Sequence, residues 1–108
     1  DFVYVGDVVE AWATALENKA SYGGVFNLGS GRRLSINQLA DFALAAMGRS
    51  RADHKVVYQP SRPGEQRHVE ADITRAITVL GWQPGVSFQE GFARTVEWAA
   101  AERVLIPG

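Results

Sequence analysis

Short apolar runs alternate with amphipathic segments along this chain, and the two patterns predict strands and helices in turn. Runs rich in β-branched and aromatic residues predict three strands, at residues 2–5, 25–28 and 55–59. Apolar residues that recur at helical spacing predict four helices, at residues 7–18, 35–47, 72–80 and from 88 onward. The resulting order, β-α-β-α-β-α-α, predicts an α/β fold with mostly parallel pairing in its first half.

The ends of the predicted helices carry residues that suit those positions. Side chains able to accept a hydrogen bond from a free backbone N–H predict four N-caps, at Asp7, Ser35, Asp72 and Ser87. Glutamine or glutamate three residues later completes a capping box after Ser35 and Ser87. Gly48 and Gly81 predict the ends of two helices, because glycine readily adopts the left-handed conformation that closes a helix.

The helical spacing also predicts which residues face the core. In the first helix the predicted inward residues are Val8, Trp12, Ala15 and Leu16. In the second helix they are Ile36, Leu39, Ala43 and Met47. The three tryptophans lie at helix-packing or helix-ending positions, so we expect core packing for Trp12, Trp82 and Trp98.

The composition is that of an ordinary globular chain and excludes several classes of function. The chain has 108 residues, 46% hydrophobic and 21% charged, with a net charge of −1. We therefore expect binding neither to nucleic acid nor to a membrane. It has no cysteine, which removes disulfides, thiolate metal sites and thiol catalysis and fits a cytoplasmic protein. Since Asp1 stands directly before an apolar run, we expect a piece of a longer polypeptide.

The loop between the third predicted strand and the third predicted helix concentrates the polar chemistry of the chain. Residues 62–68 read Arg-Pro-Gly-Glu-Gln-Arg-His, which places two guanidinium groups, an imidazole and a carboxylate on a loop stiffened by proline and glycine. A guanidinium presents a planar fork of donors that meets two phosphate oxygens at once. A nearby carboxylate accepts hydrogen bonds from ribose or sugar hydroxyls. The loop predicts a nucleotide-type ligand, and a solvated polar loop without a ligand is the alternative.

Other candidate sites have weaker support. Gly29-Ser30-Gly31 follows a predicted strand, as in a dinucleotide-binding Gly-x-Gly-x-x-Gly turn, but Leu34 stands at the third glycine position. A tight turn explains these glycines better. The two histidines, His54 and His68, share no carboxylate at a metal-ligand spacing, so we expect no zinc site. Ser30 lacks the Gly-x-Ser-x-Gly context of a hydrolase nucleophile.

Several blocks of the chain together resemble one family. Residues 1–9, Asp-Phe-Val-Tyr-Val-Gly-Asp-Val-Val, resemble the Arg-Asp-Phe-Val-Tyr-Val-Asp-Asp-Val segment of extended short-chain dehydrogenases/reductases, and residues 25–31 resemble its later strand and turn. Residues 62–65, 71–72 and 80–84 resemble its Arg-Pro-Gly-Asp, Ala-Asp and Leu-Gly-Trp-x-Pro blocks. The blocks keep the family's order across essentially the whole chain. The chain is therefore similar to the C-terminal portion of the Rossmann-type, NAD-dependent nucleotide-sugar epimerases and dehydratases (UDP-glucose 4-epimerase-like).

The resemblance implies a role for four residues of the polar loop. Arg62 matches the arginine that holds the diphosphate of the nucleotide sugar. Glu65 stands where the family has an aspartate that contacts the ribose, and its extra methylene changes its reach. Arg67 and His68 rank below Arg62 as further polar contacts, and Val69 replaces a tyrosine that some epimerases place near the ligand. The resemblance implies substrate binding by these four polar residues and no cofactor-binding or metal-binding residue.

The catalytic pair of the family does not occur in this sequence. These enzymes begin the reaction with a tyrosine activated by a lysine four residues later, while hydride passes to NAD. The two lysines of the chain, Lys19 and Lys55, have Ala15 and Arg51 four residues before them. The resemblance thus implies no catalytic residue in this chain, no activity of the chain alone, and NAD bound by another part of the parent enzyme.

The resemblance also divides the chain into two predicted domains. Residues 1–34 would supply the last strand, helix and strand of the NAD-binding Rossmann sheet, and residues 35–108 the lobe that binds a nucleotide-diphosphate sugar. Asp1 and Asp7 match motif positions, but we expect structural roles, a strand-end hydrogen bond and a helix cap. The alternative is a stand-alone, non-catalytic binding or interaction module. Exposed sheet edges and an apolar face predict self-association into a homo-oligomer.

Overall fold

The computed structural model of this protein describes residues 1–102 and contains three α-helices at the predicted places in the chain. These are α1 (Val5–Glu17), α2 (Ile36–Ala46) and α3 (Phe88–Ala101). A short 3₁₀ helix follows α1 at Lys19–Ser21, and a π-helical turn at Ala76–Leu80 stands where the pattern predicts the short third helix. The last six residues of the predicted lobe lie outside the described residues. No helix in the described range has the length and apolar character that a bilayer crossing requires.

The three predicted strands are not observed. Residues 1–4, 24–30 and 55–62 run as irregular backbone, and residues 1–102 contain no β-strand. A strand is defined by a ladder of hydrogen bonds to a neighbouring strand, and the side-chain pattern that predicts a strand does not supply that neighbour. The helices of the order β-α-β-α-β-α-α are therefore observed, whereas its sheet is not.

The predicted capping box of α2 and the predicted C-terminal ends of α2 and of the π-helical turn are confirmed, whereas Arg75, and not the predicted Asp72, stands at the N-cap of that turn. The Ser35 hydroxyl oxygen accepts from the backbone N–H of Gln38 at 3.0 Å, and the Gln38 side chain accepts from the backbone N–H of Ser35 at 2.9 Å. This reciprocal pair is the predicted capping box. Gly48 and Gly81 have φ of 68° and 65°, a conformation that costs glycine little because it has no Cβ.

The predicted N-cap at Asp7 is wrong. The cap position of α1 lies three residues earlier, at Tyr4. The Asp7 carboxylate is buried and accepts hydrogen bonds from the backbone N–H groups of Gly85 and Val86, both at 3.1 Å. Trp82 Nε1 donates to the carbonyl oxygen of Asp7 at 2.7 Å. Asp7 therefore ties a distant segment to the first turn of α1 instead of capping the helix locally.

The chain divides into two compact units. The first joins Asp1–Arg33 to Arg67–Phe88, and the second joins Leu34–Gln66 to the chain from Gln89 on. The core of the first unit consists of four buried residues, Ala11, Ala76, Leu80 and Trp82. Five partly buried residues pack against it, namely Val3, Ala15, Phe26, Leu28 and Ile73. The assignment of residues 1–34 to a cofactor sheet and of residues 35–108 to a substrate lobe stays a prediction.

The predicted inward face of α1 is confirmed at Ala15 and wrong at Trp12 and Leu16. Ala11 is buried and Ala15 packs against the core, whereas Trp12 and Leu16 are exposed. α1 carries apolar residues on two faces, so helical spacing alone does not decide which face packs. The small alanines let the helix approach the core closely, and the bulky residues are turned outward.

The other predicted core positions give a mixed result. Trp82 is buried as predicted, but Trp98 on α3 is exposed. On α2 the buried residue is Leu44, whereas Ile36 and Met47, both predicted to face inward, are exposed. The second unit therefore buries little of the apolar surface that its helix pattern offers.

A polar network joins α2 to the residues that follow it in the second unit. Arg51 Nε donates to the carboxylate of Asp41, and its Nη1 donates to the Tyr58 hydroxyl at 3.1 Å. The Tyr58 hydroxyl donates to Asn37 Oδ1 at 2.8 Å. The hydrogen bond to Asp41, followed by that to Tyr58, raises the pKa of Arg51 above its ordinary value. These contacts hold residue 58 to the first turns of α2.

Candidate functional site

Residues 62–65 form a tight turn in the second unit. The backbone N–H of Glu65 donates to the carbonyl oxygen of Arg62 at 3.2 Å, and Gly64 has φ of 85°. This hydrogen bond, with Pro63 second and a positive-φ glycine third, is typical of a type II β-turn. The sequence Arg-Pro-Gly-Glu thus places its two charged residues at the two ends of one turn.

The two charged side chains of this turn contact each other. Glu65 Oε1 accepts from Arg62 Nε at 3.0 Å, and Glu65 Oε2 accepts from the backbone N–H of Arg62 at 2.9 Å. The Arg62 side chain is nevertheless 87% exposed. Its Nη1 and Nη2 atoms make no hydrogen bond within residues 1–102. The guanidinium therefore presents its outer pair of nitrogens to solvent, with the donor geometry that suits phosphate oxygens.

The remaining two predicted site residues, Arg67 and His68, are exposed and fall in the first unit. Neither makes a hydrogen bond within the described residues. His68 lines an open depression of about 520 Å³, whose charged lining residues are Arg33, Glu70 and Asp72. Of the four predicted substrate-binding residues, the structure brings Arg62 and Glu65 into contact and places the other two in a different unit.

Negative charge dominates the depression beside His68. Arg33 Nε is paired with Glu70 Oε2 at 2.7 Å. The Asp72 carboxylate accepts from the hydroxyl and the backbone N–H of Thr74, at 2.6 and 3.0 Å. These bonds, that of the hydroxyl first, lower the pKa of Asp72 below its ordinary value. Asp72 therefore stays ionised at neutral pH, and the depression suits a phosphate less well than the Arg62 turn does.

Asp1 has the structural role that we expected, with partners that the sequence did not reveal. Asp1 Oδ1 accepts from the backbone N–H and the hydroxyl of Ser30, both at 2.7 Å, and Oδ2 accepts from the backbone N–H of Ala71 at 2.9 Å. These partners are 29 and 70 residues away in sequence. One carboxylate thus fastens three segments of the first unit together.

The Gly29-Ser30-Gly31 turn does not fit the pyrophosphate of a dinucleotide such as NAD. A Cβ at Gly29 would lie 2.7 Å from the Ala71 Cβ and 2.8 Å from Asp1 Oδ2, so protein atoms fill the space beside this glycine. The backbone N–H of Ser30 is already bonded to the Asp1 carboxylate, whose negative charge would repel a phosphate. We assign no NAD-binding residue to this turn, as the tight-turn interpretation requires.

The histidines do not form a metal site with their surroundings. His54 Nδ1 lies 3.6 Å from Asp53 Oδ1 in the second unit, and His68 lies in the first. Across residues 1–102, no group of three or more histidine, aspartate or glutamate side chains gathers where it could hold a metal ion. The chemistry of the candidate site is therefore that of arginine and carboxylate.

The chain matches a known family over most of its length. The family described as GDP-mannose 4,6 dehydratase matches residues 1–95. The chain is 41% identical over 98 residues to a UDP-glucose 4-epimerase of Mycolicibacterium smegmatis, a match that covers 91% of the chain and 30% of that relative. It is 32% identical over 115 aligned positions to a dTDP-glucose 4,6-dehydratase of Xanthomonas campestris, covering 100% of the chain and 32% of the relative. The chain thus spans about a third of the length of the curated relatives it matches.

Solved structures give the same result. The UDP-glucose 4-epimerase of Thermotoga maritima, determined with UDP-glucose, is 40% identical and superposes with a TM-score of 0.85, over 95% of this chain and 32% of that one. MoeE5, determined with UDP-glucuronic acid and NAD, is 30% identical and superposes with a TM-score of 0.81, over 97% of this chain and 33% of that one. The backbone of the chain corresponds to one third of each of these larger proteins.

Proposed function

Because the chain belongs to the GDP-mannose 4,6 dehydratase family, we propose that it is the C-terminal part of an NAD-dependent nucleotide-sugar epimerase or dehydratase. In that enzyme it supplies the side of the substrate pocket that holds the nucleotide diphosphate. Relatives of both kinds, an epimerase and a dehydratase, match over at least 91% of the chain. The proposal therefore covers both reactions and commits to the substrate class, a nucleoside-diphosphate sugar.

The exposed guanidinium of Arg62 carries this proposal. Its two outer nitrogens have no partner within residues 1–102, while its inner nitrogen and its backbone N–H are held by one carboxylate. A diphosphate offers pairs of oxygens that a guanidinium meets with two parallel hydrogen bonds. The hydrogen bond from Arg62 Nε to Glu65 restrains the guanidinium, which limits the ordering that binding requires.

The other three predicted residues differ in the support that they have. Glu65 belongs to the site through its contact with Arg62. Arg67 and His68 are proposed as weaker polar contacts, because neither side chain makes a hydrogen bond in the described part of the chain. Catalysis and NAD binding belong to the rest of the parent enzyme in this proposal, since the chain has no Tyr-x-x-x-Lys pair.

A titration with UDP followed by NMR tests the proposal. We expect the backbone amide signals of Arg62, Gly64 and Glu65 to shift as UDP is added to the labelled chain. The Arg62→Ala variant should lose this response. Arg94→Ala is the matched control, because Arg94 pairs with Glu90 on α3 and is not part of the proposed site. No shift at residues 62–65 in a folded wild-type chain would contradict the proposal.

A second candidate, a self-associating interaction module, is favoured by the outer face of α1. Val5, Val9, Trp12 and Leu16 recur at helical spacing and are 60–73% exposed. A stripe of large exposed apolar residues marks a surface that another protein covers. We expect sedimentation equilibrium to show an apparent mass that rises with concentration. A constant monomer mass up to millimolar concentration would contradict this candidate.

A further inference from the structure

We propose that Tyr58 is a positioning residue for the Arg62 turn, because its hydroxyl group fastens the segment before that turn to the start of α2. This inference rests on the proposed function, since it concerns how the same turn is held for a nucleoside diphosphate. Tyr58 itself makes no contact with the ligand in this proposal. It acts through the backbone of residues 59–61, which leads from Tyr58 to Arg62.

The chain around the Arg62 turn has almost no packing to hold it in place. Every residue from 57 to 70 is exposed, and among residues 55–61 only Val56 is half-buried. A segment with few buried contacts opens and moves easily unless hydrogen bonds restrain it. The position of the Arg62 guanidinium therefore depends on the hydrogen bonds that its neighbours make.

Tyr58 provides the hydrogen bonds that attach this segment to the rest of the second unit. Its hydroxyl group donates to Asn37 Oδ1 at 2.8 Å and accepts from Arg51 Nη1 at 3.1 Å. Within the described residues, these are the only hydrogen bonds that residues 55–61 make to other parts of the chain. One hydroxyl group thus restrains the whole segment that enters the turn.

The two partners of this hydroxyl group are themselves well held. Asn37 lies in the first turn of α2, directly after the Ser35 capping box. Arg51 Nε donates to the carboxylate of Asp41, and Arg51 Nη2 donates to the carbonyl oxygen of Asn37 at 3.3 Å. All three nitrogens of this guanidinium are therefore bonded, so Tyr58 is attached to the start of a helix and not to a freely moving side chain.

The connection from Tyr58 to Arg62 is short and restricted. The four residue steps between the two span at most about 14 Å. Pro60 lies among them, and a proline fixes its own φ and limits the conformations of the residue before it. A restraint at Tyr58 is therefore transmitted to Arg62, and its loss would let the turn move relative to α2.

The Tyr58→Phe variant tests the proposal, because it removes the hydroxyl group and keeps the ring. We expect it to weaken UDP binding by about two- to fivefold, since a more mobile turn must be ordered when the ligand binds. In the ligand-free chain, the heteronuclear NOE of the Gly64 backbone amide should fall. An unchanged UDP affinity or an unchanged NOE would overturn the proposal.

Tyr22→Phe is the matched control for this variant. The Tyr22 hydroxyl group donates to the carbonyl oxygen of Leu16 at 2.9 Å, and both residues belong to the first unit. The control therefore loses a similar exposed hydrogen bond away from the Arg62 turn. It should change neither the UDP affinity nor the NOE of Gly64, and an equal effect in both variants would refute a specific role for Tyr58.

Two further measurements separate positioning from other roles of Tyr58. Tyr58→Leu should weaken UDP binding as much as Tyr58→Phe does, because both variants lack the hydroxyl group. Weaker binding in Tyr58→Leu alone would make the aromatic ring a ligand contact and overturn positioning. Circular dichroism should show the same helix content in Tyr58→Phe and in the wild-type chain, whereas a loss of helix would make the weaker binding an effect of misfolding.

The failure of this inference and that of the proposed function give different results. If the folded wild-type chain does not bind UDP at millimolar concentration, the proposed function fails. The NOE of Gly64 needs no ligand, so it still decides whether Tyr58 holds the turn. If the wild-type chain binds UDP and Tyr58→Phe binds it equally well, the proposed function stands and the positioning role alone is refuted.

Discussion

Replacing Asp7 should destabilise the chain more than any exposed substitution, because this carboxylate holds a distant segment against α1. Its side chain is 3% exposed, and its two oxygens accept from the backbone N–H groups of Gly85 and Val86, both at 3.1 Å. In Asp7→Ala both donors lose their acceptor. A buried donor left without a partner costs about 1–3 kcal/mol.

The solvent exposure of the two donor residues decides where in this range the cost of each lost hydrogen bond falls. Gly85 is exposed and Val86 is only partly buried, so water can replace part of what each N–H loses. We therefore take the lower half of the range and expect Asp7→Ala to lower the free energy of unfolding by roughly 2–4 kcal/mol. Asp7→Asn should cost about half as much, because its amide oxygen serves one N–H while its NH₂ group faces the other.

Urea denaturation followed by circular dichroism measures this effect. Glu10→Ala is the matched control, since Glu10 is an exposed acidic residue on the same helix and should change stability by less than about 0.5 kcal/mol. If the free energies of unfolding of Asp7→Ala and of the control differ by less than about 0.5 kcal/mol, the two hydrogen bonds contribute little to stability. The conclusion that Asp7 holds two distant segments together would then be wrong.

Three further predictions concern single contacts. Arg62→Ala should weaken binding of a nucleotide diphosphate by roughly 1.5–3 kcal/mol, the range for a charge-assisted hydrogen bond, and unchanged affinity by calorimetry would refute its role. Gly29→Ala should destabilise the fold by about 1–3 kcal/mol, because its Cβ would lie 2.7 Å from that of Ala71; a neutral result in urea would contradict this close approach. An NMR titration should give Asp72 a pKa below its ordinary value, and Thr74→Ala should raise that pKa. Because the pKa is lowered in the folded chain, the stability that Asp72 contributes is present at neutral pH and is lost as the pH falls through the lowered pKa.

Features that depend on neighbouring residues could be predicted from the sequence. The Ser35 capping box and the helix ends at Gly48 and Gly81 are confirmed, because each depends on residues within one helical turn. The turn at residues 62–65 follows from the same local rules, since proline and glycine at its centre favour a β-turn. The contact between Arg62 and Glu65 is local as well, yet the sequence alone did not suggest it.

Features that depend on distant residues could not be predicted in the same way. The sequence neighbours of Asp7 predict a helix cap, but its hydrogen-bond partners lie 78 and 79 residues away. The sequence predicts a structural role for Asp1 but not its hydrogen bond to Ala71, which lies 70 residues away. The predicted strands are not observed for the same reason, since a strand needs hydrogen bonds to a neighbouring strand, and the local sequence pattern does not show whether that neighbour is present.

α1 carries apolar residues on two faces, and only one of these faces is packed in the structure. A helix that is apolar on more than one side is stable when it is buried on more than one side. The alanine face of α1 packs in the first unit, whereas its bulky face, centred on Trp12, is exposed. Either a larger parent enzyme or a second copy of the chain could cover this face, so self-association of the isolated chain would not argue against an enzymatic parent. The binding turn at residues 62–65 belongs to the second unit and shares no residue with α1. Dilution should therefore shift the NMR signals of α1, and UDP should shift those of the turn.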